Sequence, residues 1–509
     1  MSENNLDAKM SALVRSQDKL GNYYKTPPLK NLSVEAAYAD KPHGNSRDLS
    51  MDNNTIKLAG KDNLKEKDGL IKGASILAIG GLLSKLFGAF YRIPLTTLLG
   101  AEGLAIYQTV FPIYCILLTF SSTGVPTAIA KLISGGYGEK MVLTKSLSVF
   151  LPLGFLGSLL MTFFSLPLAL LQGNVGATLA YVALAPSVLL VSAISCLRGY
   201  FQGRLNMVPT AISQIVEQSV KLAVGLVLCY FIKGSPAQLG ALACLAVTAS
   251  EVVALLYVLI AYKRAEKPRI STYYLSFKRL IGILLPITIS TLLLPMARAF
   301  DSFTIVNILQ DYTLHASALY GIYTGSVESV SGVPVAICYG IAVAVLPSIS
   351  KHYSLKNYSL ARENLFKAFS LTLFTSSSLG LGLFIFAPFI TRTLFFKLSS
   401  YLASVTSRLI ALSFFSVIGL SLVQTLTSCT VAIGKPYAPC LFLGFGLLIK
   451  FILQINLLKI PDLNIFAGLY SDIVCYFVAV FLNLLYIRTI LNKKGNSHEN
   501  NADRRRLIA

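Results

Sequence analysis

Tryptophan is absent from the chain and charge is scarce. Only 13% of the 509 residues are Asp, Glu, Lys or Arg, whereas a soluble domain keeps roughly a quarter charged. With 54% of residues hydrophobic, the expected solvent is a bilayer. Any interfacial aromatic belt must then be built from the 25 tyrosines and 29 phenylalanines. Histidine is also rare. His43, His315, His352 and His498 are far apart, and none lies deep in an apolar run, which argues against a histidine-rich metal site. No G-x-x-x-x-G-K-[ST] run offers a P-loop, and there is no H-E-x-x-H helix or D-x-D pair. The eight cysteines (Cys115, Cys196, Cys229, Cys244, Cys338, Cys429, Cys440 and Cys475) fall in or at the ends of apolar runs and form no C-x-x-C, so they read as small buried hydrophobes. An enzyme is therefore not expected, and neither a cofactor nor a metal.

The charge that is present is unevenly placed. Residues 1–69 hold 11 Lys/Arg and 10 Asp/Glu among many Asn and Ser. Such a segment buries too little to offset its ordering entropy, so it reads as a disordered cytoplasmic tail. It lacks the basic-then-apolar order of a secretory signal peptide, which leaves the apolar helix from Leu70 as the insertion signal. Residues 70–509 carry +20 of the net +21. Those cations sit in short loops between apolar runs, a pattern of membrane topology and anionic headgroups rather than of nucleic-acid binding.

About twenty apolar residues cross a bilayer. Twelve candidates meet that length: 70–93, 104–133, 142–171, 176–200, 208–232, 237–262, 277–309, 316–350, 362–391, 401–430, 436–458 and 463–490. With the N-terminus inside, the inner loops hold 15 Lys/Arg and the outer loops only Arg92, Lys233, Arg392, Lys397 and Lys459. This bias puts both termini in the cytoplasm of a multi-pass membrane protein. The basic inner linker 263–279 divides the chain into a six-helix lobe at 70–262 and another at 280–490, followed by a basic tail at 491–509.

The two lobes repeat one another. GVPTAIAKLISGGYGEK (124–140) aligns without gaps on GIAVAVLPSISKHYSLK (340–356), sharing Gly124/Gly340, Ala128/Ala344, Ile133/Ile349, Ser134/Ser350, Tyr137/Tyr353 and Lys140/Lys356. Each is an apolar run that stops at Ile-Ser and enters a basic loop. Six spans per half give the halves the same orientation, as in parallel transporter repeats with the substrate path between them.

Four stretches carry a family resemblance. SKLFGAFYRIPLTTLLGAEGLAIYQTVFPIY (84–114) with STGVPTAIAKLIS (122–134) resembles the first two helices of SpoVB/MurJ-type flippases, of the multidrug/oligosaccharidyl-lipid/polysaccharide (MOP) exporter superfamily. RGYFQGRLNMVPTAISQIVEQSVKL (198–222) resembles the SpoVB branch, and AVLPSIS (344–350) the end of the eighth helix. The resemblance spans about residues 68 to 490. It implies a V-shaped, MATE-like bundle of two lobes in a bacterial cytoplasmic membrane. It also implies alternating-access movement of an undecaprenyl-diphosphate-linked glycan, such as a peptidoglycan precursor or another envelope polysaccharide unit, with membrane lipids and other cell-envelope synthesis proteins as partners. The chain departs from the MurJ-type pattern by having no further span after Arg488 and no charge in AIYQT (105–109) or YCILLTF (114–120). A cation-coupled multidrug antiporter of the same superfamily and a non-transporting scaffold for envelope or spore-cortex assembly are the alternatives.

An ionisable residue within a span is expensive and marks a site by default. Lys85 and Arg92 are seven apart, on one face of the first span, and both suit the phosphates of such a lipid. For Arg92, a snorkelling anchor is the equal alternative. Glu217 and Lys221 are spaced i, i+4 and can pair; Arg298 and Asp301 are spaced i, i+3 with the same ambiguity. Glu328 has no partner nearby in sequence and lies about 18 Å into its span. It can bind a proton or Na⁺, or pair with Lys85 or Arg298. Lys85, Arg92, Arg298 and Lys221 are thus the substrate-binding candidates, and Glu328, Asp301 and Glu217 the ion-coupling or charge-pairing ones. Glu251, Arg408, Lys450 and Asp472 are further charges within spans. Cations are at least as numerous as acids, which favours an anionic substrate over a cationic drug.

The topology is open to a direct check. Single cysteines placed at Asn174, Gln238 and Asp462 should react with impermeant reagents added outside, and those at Gly138 and Asn357 should not. The reverse labelling would overturn the orientation.

Overall fold

The computed structural model describes residues 80, 87, 88, 91 and 93–508, apart from 121–123, 269–274 and 436. The described residues form helices and connecting turns, with no strand. In hydrocarbon no water satisfies the backbone, so each spanning segment must close its own hydrogen bonds. Eleven of the described helices are long and apolar enough to cross a membrane.

In chain order the helices are α1 (Ile93–Leu118), α2 (Val125–Ser134), α3 (Glu139–Phe163), α4 (Ser165–Leu171), α5 (Thr178–Gly203), α6 (Val208–Phe231) and α7 (Pro236–Arg264). The second half holds α8 (Phe277–Leu309), α9 (Ala316–Ser354), α10 (Tyr358–Leu394), α11 (Ser400–Ala432), α12 (Tyr437–Leu458) and α13 (Phe466–Ile508). Each predicted span from the second to the twelfth has a helical counterpart. The first, at 70–93, falls mostly outside the described residues, as does the 1–69 tail. Within α1, Gly100 takes φ +69°. A left-handed residue ends a helix, so α1 is two helical stretches joined at Gly100.

Three boundaries differ from the sequence expectation. The span predicted at 104–133 is divided between α1 and α2, and α2 begins at Val125 with Pro126 in its first turn. The span predicted at 142–171 breaks at Phe164 because Pro167 has no N–H to offer the Phe163 carbonyl. The tail predicted at 491–509 is not separate from the last span: α13 runs on to Ile508, with no proline in its course.

The repeat is visible in how the helices end. Residues Gly136, Leu205, Lys356 and Gly434 are all left-handed, with φ of 92°, 59°, 59° and 78°. Each closes the same paired turn, in which an N–H reaches back five residues: Tyr137 to Leu132, Asn206 to Phe201, Asn357 to His352 and Lys435 to Thr430. They cap the second and fourth spans of each half. The ungapped alignment pairs Gly136 with His352, so the second half runs one helical turn further before it closes.

Each lobe has two apolar cores. One lobe packs Tyr107, Tyr181 and Leu184 in the first and Ile129, Tyr200 and Val258 in the second. The other packs Leu319, Tyr323 and Leu409 in the first and Ile349, Leu426 and Ala479 in the second. The lobes meet at the end the sequence places outside. Gln172 Nε2 donates to Ser302 Oγ (2.8 Å), Asn307 Nδ2 to the Leu171 carbonyl (2.7 Å) and Gln310 Nε2 to the Gly173 carbonyl (2.8 Å). Asn174 Nδ2 reaches Ser317 Oγ at 3.3 Å, and Thr97 Oγ1 reaches the Leu394 carbonyl at 3.3 Å. Tyr181 orients Gln172 by donating to its Oε1 at 2.6 Å. Every one of these bonds joins neutral groups. Each is worth about 0.5–1.5 kcal/mol net, so together they approach the few kcal/mol that separate two populated conformations.

At the same seam Gly321 lies against the α1 backbone. A Cβ there would stand 2.5 Å from the Ala101 carbonyl oxygen and 2.7 Å from the Ala105 nitrogen. Gly321→Ala should therefore destabilise the closed seam by about 1–3 kcal/mol. Gly382→Ala, whose Cβ would meet nothing within 4 Å, should not. Melting followed by a thiol-reactive fluorophore on the buried cysteines would separate the two, and equal melting temperatures would refute the close approach.

Candidate functional site

Between the lobes, on the far side of the seam, lies a cleft in two connected parts of about 590 and 270 Å³ that share Phe111, Arg298 and Glu328. The first lobe contributes Tyr107, Gln108 and Phe111 from α1 and Gln218 and Lys221 from α6. The second contributes Pro295 and Arg298 from α8, and Tyr320, Thr324, Glu328 and Ser329 from α9. Lys221, Arg298 and Glu328 lie ten to twelve residues from the seam ends of their helices, about 15–18 Å at 1.5 Å per residue. That is half the thickness of a ~30 Å hydrocarbon core.

The α9 backbone is irregular at this level. Ile322–Val327 is a π-helical segment. Such segments are frequent at functional sites because the wider turn re-aims side chains. Thr324 Oγ1 donates to the Tyr320 carbonyl (2.8 Å) and the Ser329 hydroxyl to the Gly325 carbonyl, which holds the widened turn together. Glu328 follows directly and forms an ion pair with Arg298 of α8. This is one of the two pairings its place in the sequence suggested.

Arg298 and Asp301, one turn apart, do not pair as a closed couple. Arg298 faces the cleft, and Asp301 turns into the second lobe. There Lys450 Nζ of α12 lies 2.8 Å from Asp301 Oδ2 and 2.8 Å from Asp472 Oδ1 of α13. Tyr323 OH donates to Asp472 Oδ2 at 2.5 Å. Lys450 and Asp301 are each 2% exposed. Phe300 stacks on Phe451 at 4.0 Å beside them, and Gln454 Nε2 donates to Thr304 Oγ1 (3.0 Å) one turn further along. The cluster therefore fixes α8, α9, α12 and α13 behind Arg298. The sequence singled out Lys450 and Asp472 only as further charges; a convergence of four helices has no local signal.

The first lobe repeats the motif in simpler form. Tyr114 OH of α1 donates to Glu251 Oε1 of α7 at 2.6 Å. In both lobes, then, a tyrosine of the second span holds a carboxyl of the sixth. Glu251 is 2% exposed, and no cation stands at ion-pair distance from it among the described residues. Glu217 takes Arg198 of α5 as its partner (2.9 Å), so its i, i+4 spacing to Lys221 does not decide its pairing. Lys221 instead extends over the Tyr91 ring, with Nζ 5.6 Å from its centre, and lines the cleft. Arg408 is exposed on α11 and lines neither part of the cleft. Lys85 and Arg92 lie outside the described residues. Lys221, Arg298 and Lys450 balance Glu328, Asp301 and Asp472, so these six groups carry no net charge.

Residues 70–353 match the family model described as polysaccharide biosynthesis protein. The chain is 27% identical over 348 residues to the Stage V sporulation protein B of Bacillus subtilis (strain 168), covering 65% of this chain and 67% of that protein. It is 25% identical over 429 residues to the Lipid II flippase MurJ of the same organism, covering 77% of this chain and 78% of that one. Among solved structures, the inward-facing conformation of a multidrug resistance MATE family transporter of the MOP superfamily superposes with a TM-score of 0.69 at 15% identity. That match covers 81% of this chain and 96% of the other, and at this identity it is a likeness of fold alone.

Removing Lys450 would leave two carboxylates buried without their cation. Breaking such a pair costs about 3–5 kcal/mol. Lys450→Met should therefore lower the melting temperature sharply, and adding Asp301→Asn and Asp472→Asn should restore most of the loss. A single variant as stable as the parent would refute the view that the cluster holds the four helices together.

Proposed function

Because the chain belongs to the polysaccharide biosynthesis protein family and is a multi-span MOP-superfamily transporter rather than an enzyme, we propose that it moves a polyisoprenyl-diphosphate-linked glycan from the inner to the outer leaflet. The glycan is a peptidoglycan precursor or another envelope polysaccharide unit. One observation carries this reading. Two cations from opposite lobes, Lys221 of α6 and Arg298 of α8, line one cleft at mid-bilayer depth, behind a seam closed at one end. Ammonium and guanidinium groups both suit phosphate oxygens, the guanidinium with two parallel donors. The lipid tail stays in the bilayer while the diphosphate and sugar occupy the cleft.

The hydrogen-bonded seam supports alternating access. It holds the lobes together on the side assigned to the exterior, which leaves cargo to enter from the cytoplasmic side. Parting the seam while closing the opposite end would expose the same cleft outward. Basic loops on one side support a cytoplasmic location for both termini, where anionic lipid headgroups would gather around those loops.

The test is transport by the purified chain in vesicles, offered a fluorescent polyprenyl-diphosphate glycan and, separately, a cationic dye. The glycan should cross, and Arg298→Gln or Lys221→Gln should slow it at least about tenfold at unchanged abundance, the loss of roughly one charge-assisted contact. Movement of the dye and not the glycan would favour a drug antiporter. Movement of neither would favour a scaffold.

A further inference from the structure

The cleft that should receive an anion already contains one. Glu328 is ion-paired with Arg298, the cation best placed to hold a phosphate. Among the described residues Lys221, Arg298 and Lys450 are offset by Glu328, Asp301 and Asp472, and Arg298 itself is already neutralised by Glu328. A second feature lies beside the pair. Gln108 lines the smaller part of the cleft with Arg298 and Glu328, its side chain is buried, and its Nε2 has no hydrogen-bond partner. A buried donor without an acceptor is costly and calls for an occupant. An oxyanion between Arg298 and Gln108 would satisfy it.

Resting on the function proposed above, we infer that Glu328 is a built-in stand-in for the cargo's diphosphate. It occupies Arg298 while the cleft is empty and is displaced when a diphosphate binds to Arg298 and Gln108. In the empty state the pair spares Arg298 the cost of standing unpaired at mid-bilayer. Once displaced, the carboxylate stays on α9 inside the cleft and repels the bound anion. Affinity is held down, and a carrier must bind weakly enough to let go. Glu328 directly follows the π-helical segment, and such segments are frequent at functional sites.

The experiment uses the full chain in nanodiscs of zwitterionic lipid, probed with inorganic pyrophosphate, farnesyl diphosphate and farnesol. Arg298→Gln should weaken diphosphate binding about tenfold or more, and Glu328→Gln, which keeps the shape and removes the charge, should tighten it by a similar factor. Glu328→Asp should stay near the parent. If Arg298→Gln alone fails to fold, the Arg298→Gln/Glu328→Gln double variant, which leaves no unpaired charge at this pair, replaces it and should bind about tenfold or more weakly than Glu328→Gln alone. Unchanged or weaker binding by Glu328→Gln, with Arg298 still required, would overturn the stand-in role and leave the proposed function intact. Equal pyrophosphate binding with and without Arg298, or farnesol competing as well as farnesyl diphosphate, would overturn both.

Discussion

An ion in hydrocarbon needs a counter-ion, and this one requirement organises the interior of the molecule. Arg198 pairs with Glu217, Arg298 with Glu328, and Lys450 with Asp301 and Asp472. Each pair joins different helices, so charge neutralisation also decides which helices are neighbours. Apolar contacts cannot do this as sharply. Lipid tails are as apolar as leucine, and helices within a bilayer gain little by exchanging one for the other. The tyrosine–carboxyl contacts add direction, tying the second span of each lobe to its sixth in the same sense. From that frame the cleft follows: two lobes, a seam of neutral hydrogen bonds at one end, and Lys221, Arg298 and Glu328 lining the space at mid-depth.

Much of the fold was legible in the sequence, because bilayer thickness sets a minimum length for an apolar run. Spans two to twelve could be read from length alone. The irregular points were less legible. The break at Phe164 depended on one missing N–H three residues later. The extra helical turn before Lys356 left no trace in an alignment that still matched Ser134 with Ser350 and Tyr137 with Tyr353. The continuation of α13 was hidden because polar composition suggests a tail, whereas extending a helix already nucleated by the last span costs far less than starting one.

For the site, the sequence could flag which charges were out of place and not which were adjacent. Spacing proposed Glu217 with Lys221 and Arg298 with Asp301. Those are neighbours on one helix, and in each case at least one member found its partner on another helix. Glu328 was the exception, since the absence of any local partner itself pointed to a distant one. Gln172 and Gln108 could not have been found. A glutamine in an apolar helix carries no charge signal, and only the folded geometry makes one a clasp between the lobes and leaves the other with an unused donor.

The hydrogen bonds described across the seam join amides, hydroxyls and carbonyls, and no ion takes part in them. Salt at physiological strength screens charges beyond about 8 Å, but it has little hold on hydrogen bonds between neutral groups. Acidity is equally ineffective, because none of these groups titrates near neutrality. A clasp of this kind closes with the same strength in fresh water, brine or an acidified medium. In a cell exposed to drying, rewetting or changing osmolarity, the side held by this clasp would stay shut to the same degree throughout, and the decision to open would rest with the contents of the cleft rather than with the surroundings.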